Sequence, residues 1–302
     1  MEQITPTPYP FAYGSQDARA RTVLVYGNCQ APSVAQGLAT LDDLHEDFRF
    51  VCVLNHTPPG FETAVVPDVW LQEVTLVVQQ HEERAGVPAL VAMQQRLPPG
   101  VPVVTFPSFV LLSPWPFECV ETRPNPPEPG RPWGRYPLGD MIGLELARAG
   151  LQGPLAVAAY LDLSTLKLPD MKVRLQRDLD RMRNYDRHCD VQLADYVESN
   201  FRREHLFWTN GHVSGAGMHA LVDRVAQAVR PYLGGTAERA KVCLAGLREH
   251  GGLGTHQLPI HPIVADALQL EFWQADMTYR WDTEHWTFFE YIQRYIEFDT
   301  RW

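Results

Sequence analysis

The chain has 302 residues, 45% of them apolar and 11% aromatic, with a formal net charge of −10 at pH 7. That length supports one large α/β domain, or one domain with substantial helical additions, and the acidic balance excludes general affinity for nucleic acid or anionic membranes. No apolar run approaches the roughly 20 residues needed to span a bilayer, and five cysteines without paired spacing make neither a disulfide framework nor a zinc site.

The opening Met1-Glu2-Gln3-Ile4-Thr5-Pro6 is acidic and turn-prone rather than leader-like, so the expected compartment is the cytoplasm. Residues 1–21 read as an N-terminal arm. From residue 22 onward, strand and helix patterns alternate. Val23–Tyr26, Arg49–Leu54, Leu76–Gln79 and Val101–Phe106 are short apolar runs of strand character. Pro32–Leu44, Asp68–Gln72 and Pro88–Leu97 carry helical patterns between them. Apolar strands separated by helices predict an α/β fold, a doubly wound and mostly parallel sheet covered on both faces.

Ser113–Pro137 breaks this rhythm. Eight of its 25 residues are proline, which excludes regular structure, while Trp115, Phe117, Trp133 and Tyr136 argue against a solvated linker. An insertion that packs on itself predicts a lid or a binding wall. Large helical additions follow at Met141–Ala149, Pro154–Leu163 and a charged run from Asp170 to about Arg203. The alternating signs of Lys172, Arg174, Arg177, Asp178, Asp180, Arg181 and Arg183 predict a solvated face. His205–Trp208 reads as a last strand, and a helix from Gly215 to Leu233 follows. The α/β catalytic domain is expected over 22–272. Residues 273–302 form a C-terminal part whose aromatic helix, Glu284–Asp299, packs on the core.

Two sites carry chemistry. The first is Gly27-Asn28-Cys29-Gln30, where the first strand hands over to a helix that Pro32 is suited to start. Gly27 would supply a permissive turn, and the free N–H groups of the helix start would favour a thiolate or a bound anion. A buried structural cysteine is the alternative, and the expected role of Cys52, Cys119, Cys189 and Cys243. The polar neighbours Asn28 and Gln30 favour function at Cys29.

The second is Thr209-Asn210-Gly211-His212, in a small-residue loop before a helix. If both strands run parallel, His212 faces the same carboxyl rim as Cys29, where open α/β sheets bind ligands. A Cys–His pair there forms a nucleophile with its general base. The backbone N–H of Cys29, with Gln79 or Gln80, is a candidate oxyanion donor. His56 ends the second strand on that rim, as a substrate ligand, an alternative base or merely a turn residue.

Other signatures fail. His205, His212 and His219 share no metal-ligand face, and His250, His256 and His261 have no carboxylate at useful spacing, so no metal is expected. Walker and dinucleotide glycine patterns are absent, and Ala35 stands where a Cys-x5-Arg loop needs arginine. What remains for phosphate groups is a helix N-terminus and scattered bases such as Arg84, Lys172, Arg202 and Arg203, none of which the sequence assigns.

Gly27-Asn28-Cys29 and Thr209-x-x-His212 resemble the Gly-Asp-Ser and Asp-x-x-His blocks of SGNH (GDSL-like) hydrolases. The chain departs from them at Asn28, Cys29 and Thr209, which replace the acid, the nucleophilic serine and the orienting aspartate. The chain more closely resembles the WcbI-type capsular polysaccharide biosynthesis family, which carries the same Gly-Asn-Cys-Gln turn. That likeness extends more loosely through Gln79-Gln80, Phe106-Pro107-Ser108 and His261-Pro262. It implies a coenzyme A-dependent O-acetyltransferase acting on a carbohydrate acceptor, with Cys29 and His212 catalytic. It also implies Asn28, Gln30, Gln79, Gln80, Thr209 and Asn210 in support, and Gly27, Cys29, Gln30, His56 and Ser108 at coenzyme A. A covalent route through Cys29 and direct attack aided by His212 both stay open. So do an esterase or thioesterase using the same pair and a non-catalytic module binding coenzyme A or glycan. A sulfotransferase is disfavoured, because no basic loop follows the first strand.

Overall fold

The computed structural model describes residues 10–41, 44, 46–56, 65–81, 88–249, 252–254 and 256–298. Residues 1–9, Arg84, His250 and Asp299 lie outside that set. The central sheet is built from β1 (Phe11–Gly14), β2 (Arg21–Gly27), β3 (Phe48–Leu54), β4 (Val74–Gln80) and β5 (Val103–Phe106), in the order β1-β3-β2-β4-β5. β3, β2, β4 and β5 are parallel, and β1 closes one edge antiparallel to β3. The architecture is mixed α/β around a five-stranded, mostly parallel sheet. Part of the expected arm is therefore an edge strand.

Alternate side chains on these strands feed two cores, as the pleat requires. Val23, Val25, Cys52 and Leu76 face one cluster, with Val34 and Leu38 of α1 (Ala31–Ala39). Leu24, Tyr26, Val51 and Val77 face the other, with Leu71 of α2 (Asp68–Gln72) and Met93 of α3 (Pro88–Gln94). Burying each such side chain contributes roughly 1.5–3 kcal/mol. The chain leaves β2 for β3 on one side and returns to β4 on the other. The carboxyl ends of β2 and β4 thus flank the point where strand order reverses, the usual ligand crevice of open sheets.

The rest of the chain is mostly helical. A small pair, β6 (Glu118–Cys119) and β7 (Gly139–Asp140), precedes α4 (Met141–Arg148), α5 (Gly153–Lys167), α6 (Met171–Asp186) and α7 (Ala194–Asn200). Then come α8 (Gly215–Leu233), α9 (Ala237–Leu244), a short 3-10 turn and α10 (Pro262–Leu268). The hairpin β8 (Thr278–Trp281) and β9 (Glu284–Thr287) leads into α11 (Phe288–Ile296).

Several expectations from sequence are corrected. The first helix stops at Ala39, capped at Thr40, rather than running to Leu44. The charged run splits at Cys189–Gln192, where Thr105 of β5 donates its N–H to Asp190 at 2.7 Å and accepts from Val191 N at 3.0 Å. That contact occupies the free edge of β5, so His205–Trp208 adds no strand. The chain instead reverses on itself, with Trp208 N donating to His212 O at 2.7 Å and a lone bridge between Phe207 and Val213. Asp178 is not solvated: it is buried and accepts from the backbone of Leu112 and Ser113. Glu284–Thr287 is strand, and a reciprocal Thr287–Glu290 capping box starts the last helix. All five cysteines are free, and only Cys52 is fully buried; Cys119, Cys189 and Cys243 are half-buried.

Candidate functional site

The turn after β2 is held by side-chain amides. Asn28 Oδ1 accepts from Gln30 N at 2.9 Å, and Asn28 N donates to Gln80 Oε1 at 2.8 Å. Gln30 is fully buried, and each polar atom of its amide is used twice. Its Nε2 donates to Phe109 O at 2.7 Å and to Gly211 O at 3.0 Å, while its Oε1 accepts from Phe109 N at 3.2 Å and Gln80 Nε2 at 3.1 Å. One side chain thereby joins the turn after β2, the end of β4 and the loop after β5 to the His212 loop. It links the residue following Cys29 to the residue preceding His212.

This geometry revises several roles. Gln80 is buried and holds the turn, so its amide is not free as an oxyanion donor. Gln79 faces the opposite side, accepting from Gln94 of α3 at 3.0 Å. The enclosed Gln30 side chain supports the site and is not presented to a ligand. Gly27 does not have positive φ; a Cβ there would lie 2.8 Å from Gln80 Cβ, so close approach is what demands glycine. Asn28 and Gln30 give their N–H groups to partners, whereas Cys29 N–H reaches no other described residue and is directed at its own thiol.

The half-buried Cys29 thiol has its pKa pushed up by burial, which outweighs an opposing hydrogen bond from its own backbone. The thiolate expected at the helix start is therefore not the resting form. His212 is shifted down, first by burial and then by nearby His256, so its imidazole is neutral at pH 7. Its Nδ1 is buried without a partner among the described residues. Thr209 Oγ1 accepts from His212 N at 3.1 Å, so it fixes the loop backbone rather than the ring. The orienting acid of a standard triad has no counterpart there.

The remaining predicted residues are spread along the same rim. Asn210 Nδ2 donates to Glu118 Oε1 at 2.6 Å, and its carbonyl accepts from Leu111 N at 2.9 Å. His56 is exposed after β3, with Nδ1 3.0 Å from Asn55 Oδ1. Ser108 is half-buried beside Phe109, between β5 and the Gln30 contact. Of the scattered bases, Lys172 and Arg203 are exposed, and Arg202 Nε donates to Leu268 O at 3.2 Å. Among the described residues no group of three or more acidic, His or Cys side chains is placed to hold a metal ion, and no helix is long and apolar enough to cross a membrane.

Sequence reasoning missed Glu118. Burial raises its carboxyl to about 7, against an opposing pull from Arg174. An acid directly after the Pro/aromatic run Pro114-Trp115-Pro116-Phe117 was the available signal. Glu118, Trp115 and Phe117 of the insertion line a narrow cleft with Tyr160, His261 and, from α11, Phe288 and Tyr291. His261 accepts from Ile263 N at Nδ1 (3.1 Å), which leaves Nε2–H to face Ser164 Oγ at 2.6 Å.

The family model described as polysaccharide biosynthesis enzyme WcbI matches residues 22–231. This chain belongs to the WcbI family. The match opens at β2 and closes within α8, so it contains the Cys29 turn, the Gln30 network and the His212 loop. A solved structure of WcbI, described as a novel polysaccharide biosynthesis enzyme and as native protein without a disulfide bond between coenzyme A and one of its cysteines, shares the fold. It is 17% identical, with a TM-score of 0.67 over 92% of this chain and 89% of its own. No curated protein matches the chain.

Proposed function

We propose that this chain transfers an acyl group, acetyl in the simplest case, from a coenzyme A thioester to a carbohydrate hydroxyl in the assembly of a capsular polysaccharide. The observation that carries this reading is the 3.0 Å bond from Gln30 to Gly211, which draws the turn of Cys29 and the loop of His212 to one lip of the sheet. Membership of a family of polysaccharide biosynthesis enzymes supports the substrate class. Coenzyme A in the description of the related structure supports the donor.

In this reading both reacting groups rest neutral. His212 takes a proton from the attacking group, either the Cys29 thiol or the sugar hydroxyl, and returns it to the departing thiol. Gly27, His56 and Ser108 line the rim for coenzyme A, and the aromatic insertion with α11 walls the acceptor side. The likeness to SGNH hydrolases extends to the turn and the His loop, with Asn28, Cys29 and Thr209 as departures.

Calorimetry of coenzyme A and acetyl-coenzyme A, on native protein and Cys29→Ser, tests the reading. Binding is expected to both, and binding to neither removes the transferase. Mass spectrometry after acetyl-coenzyme A then separates a Cys29 adduct from direct transfer. Acetate release at a rate indifferent to added sugar would turn the reading into a thioesterase.

A further inference from the structure

The narrow cleft between the insertion and α11 spends most of its polar side chains on the protein itself. Trp115 Nε1 donates to Leu258 O at 3.1 Å. Tyr160 gives its hydroxyl to Asp140 Oδ2 at 2.7 Å, and Asp140 Oδ1 accepts from Gly143 N at 2.8 Å. His261 is committed at both ring nitrogens, to Ile263 N and to Ser164 Oγ. One wall, formed by Leu258, His261, Phe288 and Tyr291, comes from beyond the stretch that the family model matches.

Glu118 is the exception. Its Oε1 accepts from Asn210 Nδ2 at 2.6 Å, which fixes the carboxyl against the loop of His212. Its Oε2 has no partner among the described residues and stays within reach of water. A ligand that fills the cleft excludes that water and must itself supply a hydrogen-bond donor, because an acceptor buried without one is costly. The walls narrow the choice of what carries the donor. Trp115, Phe117, Tyr160 and Phe288 offer aromatic surface that suits the C–H faces of a sugar ring. An acyl chain would match those walls but leave Glu118 without a donor, whereas a sugar presents hydroxyls.

We propose that Glu118 binds a hydroxyl of the acceptor sugar, whose ring lies in the cleft between the insertion and α11. That this sugar is the acceptor rests on the transfer reading; that the cleft holds a sugar does not.

Fluorine NMR of the full chain carrying 5-fluorotryptophan tests the proposal, with Trp115→Phe assigning the resonance that reports on the cleft. The probes are the methyl glycosides of glucose, galactose, mannose and N-acetylglucosamine. They are titrated at pH 8, where a carboxyl raised by burial to about 7 is mostly ionised. At least one is expected to shift the Trp115 signal saturably. Glu118→Gln keeps an oxygen for Asn210 and replaces the other, so that glycoside should bind at least about tenfold more weakly, as for one lost hydrogen bond to a charged group. In the native protein one monodeoxy analogue of the glycoside should lose affinity by a similar factor, and in Glu118→Gln it should lose nothing more. No shift from any glycoside, unchanged affinity in Glu118→Gln, or equal affinities across the monodeoxy series overturns the proposal. The monodeoxy series decides alone if Glu118→Gln does not fold. Acetyl transfer to a sugar that never moves Trp115 would keep the transfer reading and remove this site. A sugar held through Glu118 by a protein that transfers no acetyl group would do the reverse.

Discussion

The side-chain amide of Gln30 donates to the carbonyl of Gly211 at 3.0 Å, across 181 residues of sequence. Replacing Gln30 with alanine leaves Gly211 O, both backbone groups of Phe109 and Gln80 Nε2 short of a buried partner. Each orphaned group costs about 1–3 kcal/mol, so Gln30→Ala is expected to lose at least about 3 kcal/mol. Gln30→Glu keeps the shape but sets a carboxylate oxygen against two carbonyls, with a comparable loss. Urea unfolding measures both, and a change below about 1 kcal/mol would mean that the network does not hold the lip together.

Gly27→Ala attacks the same network from the backbone. The added methyl would stand 2.8 Å from Gln80 Cβ and 3.0 Å from its Oε1, displacing the acceptor of Asn28 N. A loss of about 1–3 kcal/mol is expected from such overpacking, with coenzyme A affinity falling as well. Gly211→Ala is the comparison, since its nearest neighbour, Val110 Cγ2, lies 3.9 Å from the new methyl. Equal stability for the two variants would rule out close packing as the reason for Gly27.

The sheet was legible because β2, β3 and β4 are buried on both faces and read as continuous apolar runs. The Cys29 turn was legible for the same reason, since a polar tetrapeptide ending such a run stands out. Gln30 as a hub was not, because its partners Phe109 and Gly211 are 79 and 181 residues away and are recognised through backbone atoms. His256 meets its carboxylate 26 residues on, in a hairpin whose second strand, Glu284–Thr287, falls inside the stretch Glu284–Asp299 that reads as one helix. His205–Trp208 failed as a strand because β-like local composition yields to tertiary pairing, with Asp190 and Val191 already on the edge of β5.

Burial pushes the Cys29 thiol above its ordinary range, so the thiolate is scarce at neutral pH. Alkylation of Cys29 by iodoacetamide at pH 8 is therefore expected to run slower than that of a free thiol, by about tenfold for each unit of upward shift. Its rate should keep rising past pH 9. Peptide mass spectrometry follows the site against Cys243. A Cys29 rate equal to or above that of free cysteine would mean that the helix start outweighs burial, and would restore the thiolate nucleophile.

His205 sets an acid limit on stability. Neither buried ring nitrogen has a hydrogen-bond partner among the described residues, the ring stacks on Phe272 at 4.6 Å, and burial, against a smaller opposing pull from the Phe207 backbone, lowers its pKa to about 3. Unfolded, the same imidazole titrates near 6.5, so between the two values the unfolded chain binds the extra proton and stability falls as pH falls. The contribution is complete above about pH 6.5 and decreases by roughly 1.4 kcal/mol per pH unit below it, or roughly 2 kcal/mol between pH 7 and 5. His205→Phe keeps an aromatic ring against Phe272 and removes the proton. Its unfolding free energy is therefore expected to drop by about 2 kcal/mol less than that of the native protein over that interval. Parallel acid slopes for the two proteins would show that His205 takes up no extra proton on unfolding.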